Sequence, residues 1–575
     1  MKRRTAWFLA AGVTAVALGA AAVGAVALLV RGGRPSAGWP GGGNTYLALD
    51  VSGDMPEEPS SGLSGLLESR PPSIRALVEA VDRAGRDPGV KGLLLRVGAV
   101  DTGWARVQEL RGALVRFRHS GKPSWAHLEF AGNREYFLAT GCAKIVASPT
   151  AMLDVSGMAA EVTFYKGTLD KLGVEAQFEG IGKYKNAPNQ FTETGFTPPH
   201  REQTEALVDS LFEQYVRGVA EGRGLTVAAV RTLVDQGPFR ASEAKEAGLV
   251  DELLYRDQVE DRIPAAGRLD PARYVKGGRG FFDGRPKLAL VYAVGDIISG
   301  ESQASPFGGG LAGADTIVRG LRQARQDEAV RAIVLRVDSP GGSGTAADAV
   351  WREVGIARKT KPVVVSMGDY AASGGYYIAM RGDVIVADPG TITGSIGVFS
   401  GKFSLRGLYA KLGVSQETVR RGRNATLFSS WEPWTEEERA KVRRLNEAFY
   451  ETFVTKAAEG RKRSPQEIEA VAQGRVWTGQ EALAAGLVDA LGGLDAAVRT
   501  AREKAHIPKD QEVQLVVLPQ RKGLLEMLLE RQEEDVLAGA LGRTLGPAGA
   551  SFLRWATALG GGGPIARVPF DLAVR

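Results

Sequence analysis

Apolar positions along this chain fall into two patterns. Residues 6–30 form one run of 25 residues without a charge. A helix of that length spans the roughly 30 Å hydrocarbon core of a bilayer, whereas the apolar core of a cleaved signal peptide is about 7–15 residues. The expectation is therefore an uncleaved, single-pass transmembrane anchor over residues 1–31. Lys2, Arg3 and Arg4 precede the run, and Arg31 and Arg34 follow it. This modest bias puts the N-terminus inside and the bulk of the chain outside. Residues 32–44, rich in Gly and Pro, read as a linker. No later stretch is apolar enough to span.

Beyond the linker, short apolar runs alternate with helical periodicity. Residues 46–51 and 288–294 read as strands, and 73–84 and 314–326 as helices. The runs 92–97 and 332–337 show too little polar alternation for an open sheet face and read as strands buried on both sides. A further strand is expected at 363–366. Long amphipathic helices are expected at 435–460 and 464–473. Strands alternating with helices imply βαβ units, parallel sheets and an α/β fold.

The pattern occurs twice. KGLLLRV at 91–97 resembles RAIVLRV at 331–337, and KLGV at 171–174 recurs at 411–414, both 240 positions on. IVASP at 145–149 matches IVADP at 385–389 with the same offset. AGLVD at 247–251 recurs at 485–489, now 238 positions on, so the second copy lacks two residues between 414 and 485. The expected organisation is a first repeat at 45–257, a Gly/Arg-rich joint at 258–284 and a second repeat at 285–500. An extension at 501–575 contains one helical pattern (524–541), and its function is unknown, the sequence suggesting none beyond packing or oligomer contact.

Composition narrows the chemistry. With 575 residues, 44% hydrophobic and 24% charged, the chain is long enough for several cores. Its net charge of +6 is spread along the sequence and does not read as a nucleic-acid footprint. A single cysteine, Cys142, excludes an intramolecular disulfide. The four histidines have no metal-ligand spacing, and no Walker-type phosphate loop occurs. No cofactor or metal is expected.

Two segments of the second copy can carry chemistry. DSPGGS at 338–343 follows a strand, and its glycines can present bare N–H groups to an oxyanion or simply make a turn. GDYAASGGYY at 368–377 puts Ser373 at the start of a helix, with Gly374 behind it. Ser373 reads equally as a nucleophile, served by the electropositive helix end and the Gly374 N–H, or as an ordinary N-cap. A nucleophilic serine needs a base, and no histidine has a suitable context. A lysine can serve if burial lowers its pKa toward 7–8.

The repeat points to Lys185. When Asn186-Ala187 is aligned with Asn424-Ala425, Lys185 falls opposite Arg423. Reciprocally, Ser373 falls opposite Asn133, and Gly341-Gly342 opposite Asp101-Thr102. One copy keeps a lysine; the other keeps a serine and glycines. A single complete site per chain, built from both copies, follows.

At these residues the chain closely resembles the signal peptide peptidase A (protease IV) family in its long, double-repeat form, over residues 45–500. The resemblance rests on DSPGG at 338–342, DYAASGGY at 369–376, TGSIGV at 393–398 and KYKNA at 183–187. It implies tandem ClpP/crotonase-like repeats and ATP-independent cleavage of apolar, membrane-associated peptides such as signal-peptide remnants. Ser373 would be the nucleophile and Lys185 the general base, preferred over Lys183 by the Tyr-Lys pattern. Gly342 and Gly374 would supply the oxyanion N–H groups, and Ser395 would orient the lysine. It further implies a homotetramer on the bilayer of the inner (cytoplasmic) membrane, with the bulk of the chain extracytoplasmic. Two other readings of the residues are a non-catalytic membrane scaffold and a crotonase-like acyl-CoA enzyme. The intact serine and glycines speak against the first, and the membrane span together with the serine-lysine complement against the second.

Overall fold

The structure, a computed structural model, describes residues 44–58, 71–263, 267–276, 284–304 and 310–520. It also describes the backbone of two short strands, Ile565–Arg567 and Ala573–Val574. The expected anchor at 6–30 and the helical pattern at 524–541 lie outside the described residues. Among the described residues, no helix is long and apolar enough to cross a membrane.

The apolar runs of the first copy become a mostly parallel sheet. Thr45–Gly53 pairs with Val90–Val100, with Leu47 beside Leu93 and Leu49 beside Leu95. Ser124–Ala131 and Lys144–Leu153 extend it. Leu47, Leu49, Leu93 and Leu95 are fully buried, as expected of strands covered on both faces. The crossover helix Ile74–Arg86 starts at Ser73, whose Oγ accepts from Ala76 N at 3.3 Å. It turns Ile74, Leu77, Val78 and Val81 into the core.

The second copy repeats this plan with Lys287–Val294, Val330–Ser339 and Val363–Ala372 paired in parallel. Ile392–Gly394 then continues the sheet past the end of Val363–Ala372. Each copy has a 26-residue helix, Pro198–Arg223 and Glu436–Arg461. Small details recur as well. Tyr136 Oη donates to Leu249 O at 2.8 Å, and Tyr376 Oη donates to Leu487 O at 3.0 Å. Asp251 accepts from Ile145 N and Asp489 from Ile385 N, both at 2.7 Å, and each pairs with an arginine at the end of its long helix.

Part of the stretch 258–284 belongs to the first core rather than to a bare joint. Gly267–Leu269 adds a strand beside Thr45–Gly53, and Tyr274, on the helix Pro271–Lys276, accepts from Arg83 Nη1 at 3.0 Å through its carbonyl. Likewise Gln514–Leu518 adds an edge strand beside Lys287–Val294.

A third sheet joins the copies. Glu175–Ile181, from the first copy, pairs antiparallel with Val398–Ser404, from the second, over seven residue pairs from Val398↔Ile181 to Ser404↔Glu175. Ile565–Arg567 lies between Val398–Ser404 and the short strand Gly341–Ser343, antiparallel to both. This sheet brings the lysine-bearing loop of one copy to the serine-bearing loop of the other.

Candidate active site

The strand Val363–Ala372 ends where the chain turns sharply into the short helix Gly374–Ala379. Ser373 occupies the turn with φ 55° and ψ −111°, a conformation that costs a non-glycine residue about 1–3 kcal/mol. It is held there by its own N–H, which donates to Gly394 O at 2.8 Å, and by its carbonyl, which accepts from Tyr377 N at 2.8 Å. Its hydroxyl makes no capping hydrogen bond to the helix. The geometry therefore does not match the ordinary N-cap alternative. Ser373 is fully buried.

Lys185 arrives from the opposite copy. Gly182 turns the chain at φ +111° directly after Glu175–Ile181. A Cβ there would sit 2.5 Å from Gln473 C, so the approach requires glycine. Gln473 of the second copy then holds the loop, accepting from Tyr184 N at 2.7 Å and, through Oε1, from Lys183 N at 3.0 Å. Gly474 packs so closely that a Cβ would lie 2.5 Å from Lys185 N.

The result is a buried contact of 2.7 Å between Lys185 Nζ and Ser373 Oγ, within one chain and across 188 positions of sequence. Nζ also donates to Ser395 Oγ at 2.9 Å and Ser395 O at 3.2 Å. A neutral amine has two N–H groups and one lone pair. The two Ser395 contacts use the N–H groups and leave the lone pair for the Ser373 hydroxyl proton. Burial alone pushes the Lys185 pKa well below its usual 10.5, because among the described residues no carboxylate stands near enough to favour the charge. The competing lysine differs. Lys183 has an exposed side chain and pairs with Tyr184 Oη at 3.1 Å and Glu202 at 3.7 Å.

Ser395 has φ 52° and donates its own N–H to Arg475 O at 2.7 Å, which fixes both atoms that face the lysine. Gly342 lies in the strand Gly341–Ser343 at φ +146°, where a Cβ would meet Ile297 O at 2.2 Å. Gly374 is the first residue of its helix, so its N–H has no acceptor within the helix. The structure thus brings Ser373, Lys185 and Ser395 into one hydrogen-bonded group. Gly342 and Gly374 lie on the segments that flank it.

Sequence reasoning missed several residues here. Gln473 and Gly474 support the lysine loop, and only tertiary contact reveals them. Asp338 and Asp369 open the two glycine-containing motifs. Their shared leading aspartate was a legible signal. Arg106, which binds both aspartates, had none.

Comparisons with known proteins agree on the peptidase character. The family profile described as Peptidase family S49 matches residues 116–269 and again 356–508. The "Serine protease SPPA, chloroplastic" of Arabidopsis thaliana is 34% identical over 459 residues, covering 78% of this chain and 68% of that protein. "Protease 4" of Salmonella typhi is 33% identical over 490 residues, 80% of this chain and 78% of that protein. Among solved structures, a mutant of the "1510-N membrane-bound stomatin-specific protease" is 17% identical with a TM-score of 0.26, covering 40% of this chain and 97% of that one, a likeness too slight to carry an argument.

Proposed function

The chain belongs to peptidase family S49 and is a serine-type peptidase; from that premise we propose that it is an ATP-independent endopeptidase with a Ser373–Lys185 dyad. The observation that carries this reading is the buried 2.7 Å contact between Lys185 Nζ and Ser373 Oγ. Lys185, neutral through burial, takes the Ser373 proton as Oγ attacks the scissile carbonyl. The N–H groups of Gly342 and Gly374 stabilise the oxyanion, a contribution of about 10²–10³ per donor in comparable sites. Lys185 then passes the proton to the leaving amine, and later activates the water that hydrolyses the acyl-enzyme. Ser395 holds Nζ in line throughout.

The substrate is an extended apolar peptide, such as a signal-peptide remnant freed from its preprotein. It pairs with the backbone of Gly341–Ser343 as an added antiparallel strand. Support for this mode comes from the chain itself, since Ile565–Arg567 takes that register, with Ala566 opposite Gly342. A substrate would replace that strand. The 25-residue apolar run at 6–30 supports a single-pass anchor in the inner membrane with the site outside. The family resemblance supports a ClpP/crotonase-like fold and a homotetramer standing on the bilayer. The test is cleavage of an apolar peptide, together with labelling by a serine-directed fluorophosphonate. Both are expected of the full chain and absent from Ser373→Ala. Cleavage by Ser373→Ala at the wild-type rate would overturn the assignment.

A further inference from the structure

The two motifs that end in Ser373 and Gly342 open with Asp369 and Asp338, and both carboxylates reach into the first copy. Asp369 Oδ2 accepts from Gly103 N at 2.9 Å, and Oδ1 accepts from Arg106 N at 3.0 Å. These N–H groups belong to the first turn of the helix Trp104–Arg118, whose N-cap residue, Gly103, has no side chain to offer. Asp369 thus caps a helix of the other repeat. Gly103 is required for the approach, since a Cβ would lie 2.2 Å from Asp369 Cγ.

Arg106 closes the arrangement. Its Nε meets Asp369 Oδ2 at 2.5 Å, and its Nη2 meets Asp338 Oδ2 at 3.1 Å. Its Nη1 is anchored to Met55 O at 2.8 Å and to Asp54 Oδ1 at 2.9 Å. Asp338 Oδ1 accepts from Tyr370 N at 2.9 Å, tying the two catalytic strands to each other. Behind them the fully buried Arg336 makes a two-pronged pair with Glu57, at 2.8 and 2.7 Å, and binds Glu109 at 2.8 Å. The arrangement is not mirrored in the opposite direction. The second copy has Ala346 where the first has Arg106, and Ser343 there caps its own helix.

We propose that Arg106, supplied by the repeat that has no nucleophile, is a positioning residue for the peptidase reaction. Its planar fork spans Asp369 and Asp338, and so sets the spacing between the Ser373 turn and the Gly342 N–H. This rests on the roles assigned above to Ser373 and Gly342. The segment at 101–103, opposite the glycines of the second copy, has become a seat for the catalytic loop of its partner. Two carboxylates held by one rigid cation cannot drift apart without leaving a buried charge unpaired. A lysine keeps the charge but offers one rotatable nitrogen in place of the two fixed ones, Nε and Nη2, that meet Asp369 and Asp338.

The experiment compares Arg106→Lys with Arg223→Lys in the full chain. Arg223 makes a similar partly buried fork, to Asp251 and Gly248 O, on the far helix of the first repeat. For Arg106→Lys we expect kcat to fall about 10–100-fold per active site titrated by fluorophosphonate, the effect of roughly 1 Å of misplacement. KM should change less than about threefold. Arg223→Lys should leave kcat unchanged even if its Tm falls as far. Wild-type kcat in Arg106→Lys overturns the proposal, as does an equal loss of kcat in both variants. Ser373→Ala, run alongside, separates the two levels. If it is inactive while Arg106→Lys is unchanged, only the positioning role fails. If it is active, the dyad fails first.

Discussion

The two repeats have the same skeleton and opposite chemistry. Each has a parallel sheet, a long helix ending in an arginine–aspartate pair, and a buried tyrosine hydroxyl bound to a backbone carbonyl. At the Ser373 turn they diverge. The second copy has Ser373 at φ 55°, whereas the first opens its helix with Asn133, whose Nδ2 donates to Gly157 O at 2.7 Å. At the Lys185 position they diverge the other way. Lys185 is buried against Ser373, whereas Arg423 is an exposed side chain 3.9 Å from Glu437. The packing is shared by both copies, and the difference lies in the side chains at these two pairs of positions. The first repeat nonetheless reaches the Ser373 loop of the second with a lysine, a helix end and an arginine.

Mutations at paired positions test this contrast. The largest effect is expected at the nucleophile. Ser373→Ala should lower kcat/KM by at least about 10⁴-fold, as in other serine enzymes, while Asn133→Ala leaves activity intact. Peptide-cleavage kinetics on both variants check it, and a strong loss in Asn133→Ala would break the asymmetry.

Next comes the base. Lys185→Met should lower kcat about 10³-fold or more, while Arg423→Met changes it little. In the wild type, kcat/KM should rise with pH through the depressed Lys185 pKa and reach its plateau below 10.5, since only the neutral amine accepts a proton. Stability carries the same sign. The unfolded chain protonates Lys185 more readily than the folded one does, so this residue penalises folding below its folded pKa. The penalty shrinks as pH rises toward 10.5 and vanishes above it. At neutral pH, Lys185→Met should therefore be more stable, with a raised Tm. The difference from wild type should close in alkaline buffer. A constant difference across pH would show that Lys185 is not held neutral.

Ser395→Ala should cost about 10–100-fold in kcat, because Nζ keeps its contact to the Ser395 carbonyl while losing the hydroxyl. The smallest effect concerns the edge of Gly341–Ser343. Deleting residues 564–575 removes the strand that lies there and should lower KM for an apolar peptide about threefold, with kcat unchanged. An unchanged KM would place the substrate elsewhere.

Much of the fold was legible in the sequence. Apolar runs without alternation marked 92–97 and 332–337 as strands covered on both faces, and offsets of 240 and 238 exposed the duplication. The complementary losses at Asn133 and Arg423 pointed to one site with parts from both copies, because a residue freed from chemistry drifts while its partner cannot. Less legible was the stretch after 257. Gly267–Leu269 is a short edge strand in a Gly/Arg-rich setting, and so few residues carry no readable period.

The sequence by itself determined the element types, the repeat and the short set of side chains to consider, since those depend on local periodicity and on residue chemistry. Ser373 alone remained an even choice between nucleophile and helix cap at that level. Only the tertiary structure decided that its hydroxyl caps nothing and faces a buried lysine. Depressing a lysine's pKa requires enclosing it away from water and acids. No run of neighbours in the chain does that; here the sheet shared by the two repeats does. The clamp by Arg106 is of the same kind. It spans 232 positions to Asp338 and 263 to Asp369, and although the two leading aspartates stand out in the sequence, nothing around Arg106 names it as their partner until the chain has folded.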